Sequence, residues 1–132
     1  MKQVLDTRFL VEFQYSQDPD VRKKALQKAK ELTQNSSGII PTIVVLEMVR
    51  LVAEREGKDK AEMVYLWLTN LGLKIEGLSS SIAKEAALLK SLHKNLPVGD
   101  CIIAAIAMRN QAGIVSDDPH FDEIREIKRI WL

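Results

Sequence analysis

The sequence is poor in the residues that staple a fold or stack on a ligand. It holds one cysteine, Cys101, and two histidines in 132 residues. One cysteine cannot close an internal disulfide, which suits a reducing compartment. Placed just inside an apolar run, Cys101 reads as a small buried hydrophobe. Aromatic residues make up 5% of the chain. Few of them lie near the acids described below, so no base-stacking platform of the single-strand type is expected. No apolar run is long enough to span a bilayer. The start, "MKQVLDTRFL", carries an acid where a signal peptide would have its hydrophobic region. A soluble cytoplasmic protein with no membrane contact is expected. The formal net charge is +1, so bulk charge points to no polyanionic partner, although a local basic patch remains open. There is no internal repeat and no low-complexity segment.

What is present fits one folded unit over residues 1–132, with 46% apolar and 28% charged residues. Strand signals fall at "QVL" (3–5), "GII" (38–40), "LKIEGL" (73–78), "IVS" (114–116) and "REIKRIWL" (125–132). Helical patterns lie between them. Asp18 and Pro19 open one helix, Thr42 is read as the cap of another, and Asp100 as the cap of "DCIIAAIAMRNQAG". "DDPHF" reads as a turn. Short strands alternating with helices predict an α/β fold, a three-layer α/β/α sandwich with a mainly parallel central sheet.

That fold places four acids together. Asp6 follows the first strand and Asp118 follows "IVS", so both lie at the carboxyl ends of strands, where ligands bind in such sheets. A helix between parallel strands starts at that same edge. Asp100, at one such start, and Glu47, early in the helix after "GII", join them. Each acid alone also reads as a helix cap, a turn residue or part of a solvated stripe. Their common edge distinguishes the set. Converging carboxylates repel, by roughly 3 kcal/mol per pair at about 5 Å and an effective dielectric near 20, unless a cation lies among them. With no histidine pair or cysteine cluster at ligand spacing, zinc is disfavoured. All-oxygen donors suit Mg²⁺ or Mn²⁺, which bridge carboxylates to phosphates. Phosphodiester hydrolysis is the matching chemistry.

"VLDTRFLVEF" resembles the opening of PIN-domain nucleases, an aspartate after strand one followed by Thr or Ser. "IVVLEMVRL" resembles their second motif. "LPVGDCIIAAIAMRNQAGIVSDDPHFDEI" is similar to their third and fourth motifs run together. The resemblance spans essentially the whole chain and is strongest to the small VapC-type toxins of toxin–antitoxin pairs. It implies a PIN-like fold and a metal-dependent endoribonuclease leaving a 5′-phosphate and a 3′-hydroxyl. It implies catalytic, metal-binding roles for Asp6, Glu47, Asp100 and Asp118, and support from Ser116, where the family often has Thr, and from Thr7. It also implies a homodimer and a cognate antitoxin protein. By the resemblance, the position of Asp117 is usually not acidic, so its extra charge reads as a further ligand or, in preference, as surface decoration.

Arg8 and Arg50 are candidates for RNA phosphate contact, and Arg50 could equally pair with Glu47. His120 has a minor reading as a proton shuttle, and His93 reads as a surface residue. The helix "AEMVYLWLTNLG" has a second apolar stripe, Met63 and Trp67, read as a partner interface or as a second buried side. The rival function is a catalytically idle PIN-like interaction module that binds a protein partner. A receiver-like phosphoacceptor, or a phosphatase with an Asp-x-Asp nucleophile, would want paired acids after strand one, where only Asp6 stands.

Overall fold

Residues 101–107 are all buried, which accounts for the unbroken apolar run in the middle of the chain's last long helix. The computed structural model describes residues 1–132. Its strands are β1 (Gln3–Leu5), β2 (Gly38–Pro41), β3 (Lys74–Glu76), β4 (Gly113–Val115) and β5 (Arg129–Ile130). They form one sheet in the order β3-β2-β1-β4-β5, with every neighbouring pair parallel. Six helices complete the α/β/α sandwich: α1 (Thr7–Tyr15), α2 (Pro19–Gln34), α3 (Thr42–Glu56), α4 (Lys58–Thr69), α5 (Ser80–Leu92) and α6 (Val98–Arg109). No helix is long and apolar enough to cross a membrane.

Strand order reverses around β1. The chain moves outward through β2 and β3, then crosses back to lay β4 on the other side of β1. Such a reversal opens a crevice beyond the carboxyl ends of the two central strands. The register makes the crevice specific. Leu5 lies opposite Val115, so Asp6 and Ser116 leave the sheet side by side.

The core joins both sides of the sheet through Val4, Leu5, Ile39, Ile40, Ile114 and Val115, all nearly inaccessible. Cys101 is buried, and that burial raises its thiol pKa, as suits a packing residue. Gly113 is required by close approach: a Cβ there would lie 2.8 Å from Ile130 Cδ1 and 3.1 Å from the Lys128 carbonyl oxygen. Gly57, at φ 91°, ends α3 and lets α4 begin at the next residue.

Several local expectations are corrected. α6 begins at Val98 after Pro97, whose φ of −57° and ψ of 150° set the entry, so Asp100 lies inside the first turn and is not the cap. The N-cap of α3 is likewise Pro41, with Thr42 its first helical residue. "DDPHF" is more ordered than a turn: Pro119–Glu123 form a 3₁₀ helix capped by the Asp118 side chain. The last strand has only two residues, because Ile124 and Ile127 turn inward into the core and are joined by a backbone hydrogen bond.

Candidate metal centre

Asp6 is the deepest acid of the group, 5% exposed. It caps α1 by accepting the Thr7 backbone N–H at Oδ1, 2.9 Å away. Its other oxygen, Oδ2, accepts the Ser116 hydroxyl at 2.7 Å. Ser116 Oγ in turn accepts the backbone N–H of Asp118 at 3.0 Å. One fully buried hydroxyl therefore ties the acid after β1 to the acid after β4. Arg129 braces the same loop from behind. It holds Asp122 through two parallel hydrogen bonds of 2.9 and 3.0 Å and donates to the Ser116 carbonyl at 3.3 Å.

Asp100 and Glu47 arrive from helices. Asp100 is a first-turn residue of α6, whose cap position is Pro97, and the helix N-terminus favours negative charge there. Glu47 projects from α3 at the exposed rim, where the Thr7 hydroxyl donates to its Oε1 at 3.3 Å. A cavity of about 470 Å³ is lined by Asp6, Glu47, Asp100 and Asp118, together with Thr7, Arg8, Asp117 and His120. The four acids expected at one edge thus share one hollow. Ser116 lies directly behind it.

Within this hollow, Asp100, Asp118 and His120 form the tightest group, each offering a ligand atom within 4.8 Å of the others. Burial first, and mutual repulsion second, favour the protonated forms of these acids. Burial, followed by repulsion from Asp6, Asp118 and Glu47, pushes Asp100 up to about 6, partly offset by His120. Asp6 is raised by burial, against the lowering effect of its Ser116 hydrogen bond. Glu47 is raised chiefly by partial desolvation. Acids that resist ionisation while facing one another fit a hard divalent cation, and the donor set is dominated by oxygen.

Neither arginine pairs with these four acids. Arg8 lies at the cavity and forms a salt bridge with Asp117, so Asp117 has a partner and is not idle surface charge. Its carboxyl is held below the usual range by the Arg8 hydrogen bond. Arg50 pairs with Glu54 at 2.8 Å, one turn along α3, and not with Glu47. His93 is partly buried, with Nδ1 3.9 Å from Glu123 Oε2. The expected Met63–Trp67 stripe divides. Trp67 stacks on Phe13 of the same chain, with ring centroids 5.1 Å apart, while Met63 is 61% exposed. His120, with a minor reading as a proton shuttle, lies two residues after Asp118 and lines the same cavity.

Comparison with curated proteins found no match. Solved structures match across the fold. VapBC2 from Rickettsia felis bound to a promoter DNA fragment aligns with a TM-score of 0.80 at 18% identity, covering 99% of this chain and 98% of that one. DNA-bound VapBC from Salmonella typhimurium gives 0.81 at 15% identity, covering 99% and 98%. VapC20 from Mycobacterium tuberculosis, a sarcin-ricin loop cleaving toxin, gives 0.71 at 15% identity, covering 92% and 94%. The sequence itself matches the PIN domain family over residues 4–127. With that match over most of its length, the chain belongs to the PIN domain family.

Proposed function

We propose that this protein is a metal-dependent endoribonuclease, the toxin of a toxin–antitoxin pair, acting in the cytoplasm on RNA phosphodiester bonds. The observation that carries the reading is the shared hollow: four carboxylates from distant parts of the chain line one cavity. Asp6, Asp100 and Asp118, with Glu47 at the rim, would hold Mg²⁺ or Mn²⁺. When bound, such a cation makes a water molecule more acidic and stabilises charge developing on a phosphate.

The chain's own groups do the remaining work. Ser116 fixes the orientation of Asp6. Thr7 steadies both Asp6 and Glu47. Arg8, beside the acids and paired with Asp117, would take a phosphate oxygen in exchange for that partner. Arg50 lies farther along α3 and would meet RNA only beyond the cavity.

The partners are proposed on separate grounds. Similarity in fold to toxin chains solved in VapBC complexes supports an antitoxin partner. Met63, Tyr65 and Leu66 on α4 remain exposed and offer apolar surface for an antitoxin or for a second copy in a homodimer. The deciding experiment incubates labelled RNA with the protein and Mg²⁺ or Mn²⁺, with and without EDTA. Cleavage should require metal and vanish in Asp6→Asn and Asp100→Asn, with folding intact by circular dichroism. A folded Asp100→Asn protein with full metal-dependent cleavage would overturn the assignment. Tight partner binding without cleavage of any RNA would instead support the idle interaction module.

A further inference from the structure

His120 stands closer to the acids than a solvated turn residue needs to. Its ring Nδ1 lies 3.2 Å from Asp118 Oδ1. The hydrogen bond that this oxygen accepts from His120 comes from the backbone N–H, at 3.0 Å. Backbone and cap therefore already fix the loop, and Pro119 restricts its first residue. The ring is held beside Oδ1 as an additional donor atom, facing the cavity that Asp100 also lines.

The spacing suits coordination. Two neighbouring ligands of an octahedral ion with bonds of about 2.1 Å are separated by about 3 Å. Nδ1 and Oδ1 lie near that separation, and Asp100 supplies a third atom within 4.8 Å. Nitrogen in such a set discriminates between ions: Mg²⁺ prefers oxygen and keeps its waters, whereas first-row transition ions accept imidazole readily.

We propose that His120 binds the divalent cation through Nδ1 together with Asp100 and Asp118, and that this nitrogen biases the centre toward Mn²⁺ over Mg²⁺. The inference rests on the reading of the acid cluster as a cation site, and its test separates the two. Mn²⁺ is titrated into the full chain and followed by electron paramagnetic resonance. Pulsed measurements then report any ¹⁴N nucleus directly bound to the ion. The wild type should show nitrogen coupling. His120→Gln should keep its fold and still bind Mn²⁺, lose the coupling, and lose the Mn²⁺ preference over Mg²⁺. His120→Asp should bind both ions and move the ratio further toward Mg²⁺. Bound Mn²⁺ without nitrogen coupling in the wild type overturns the role of His120 and leaves the acid site standing. Coupling that persists in His120→Gln overturns it equally. A wild type that binds no Mn²⁺ sinks both readings.

Discussion

Ser116 and Asp6 meet through a 2.7 Å hydrogen bond between residues 110 apart in sequence. The contact follows from strand register, since Leu5 is opposite Val115 and the next residue of each strand turns into the same crevice. The bond lowers the pKa of an acid that burial raises. Ser116 thus helps keep Asp6 ionised where ionisation is costly.

Removing that hydroxyl should act twice. Ser116→Ala leaves Asp6 Oδ2 without its donor and the Asp118 N–H without its acceptor. Such losses at buried sites cost about 1–3 kcal/mol. Supporting groups around a metal typically matter by about 10–100-fold in affinity. Ser116→Ala should therefore lower Tm and weaken Mn²⁺ binding, while Ser116→Thr, which keeps the hydroxyl, should recover most of the affinity. Calorimetric titration of both variants checks this. Unchanged Mn²⁺ affinity in Ser116→Ala would detach Ser116 from the site.

Asp100 should make the metal-free protein sensitive to pH in an unusual direction. Its pKa rises from the ordinary 3.8 to about 6. The native state thus holds this proton more tightly than the unfolded state. The resulting stabilisation is full below pH 3.8, where Asp100 is protonated in both states, and is lost as pH rises through about 6. Undamped, the shift would be worth about 3 kcal/mol. Partial solvent exposure reduces it to about 1 kcal/mol. Urea unfolding in EDTA between pH 4 and 7 should show wild type losing stability relative to Asp100→Asn by about that amount. An equal pH slope in both proteins would contradict the shift. Metal competes with the same proton, so affinity should fall as pH drops below about 6.

Arg8 is held by Asp117, an acid that lines the same cavity as the four carboxylates. Asp117→Asn should release the guanidinium. RNA binding, measured by anisotropy in an Asp100→Asn background to prevent cleavage, should then tighten at low salt. Arg8→Ala should weaken binding and reduce the slope of log affinity against log salt by about 1. If neither change alters RNA affinity, Arg8 does not meet the substrate.

The parts legible in the sequence are those set by strong local chemistry. Asp6 and Asp118 follow β-branched or apolar strand segments, so the edge on which they lie could be read directly. Asp100 was harder. An aspartate before an apolar run looks like a cap, and only the extended backbone of Pro97 reveals that the helix has already started. The contacts of Asp117 with Arg8 and of His120 with Asp118 depend on side-chain placement around the 3₁₀ turn, which residue spacing does not encode. The last strand was overread because Ile124 and Ile127 have strand-like side chains but serve the core from a turn. Arg50 found Glu54 because side chains four apart on a helix face each other, while Glu47 points to the cavity.

Met63 and Trp67 are one turn apart on α4 yet face different tasks. Trp67 packs against the core and stacks on Phe13, tying α4 to α1. Trp67→Ala should remove that stacking and leave a partly filled hole, costing about 2 kcal/mol and lowering Tm. Met63 is mostly exposed, so Met63→Ala should shift stability by less than about 0.5 kcal/mol. If α4 carries the partner surface, Met63→Ala should nevertheless weaken association. Sedimentation of the protein alone would report a lost dimer, and titration with its antitoxin a lost complex. Should Met63→Ala alter neither association while Trp67→Ala acts only through unfolding, the partner surface lies elsewhere on the chain.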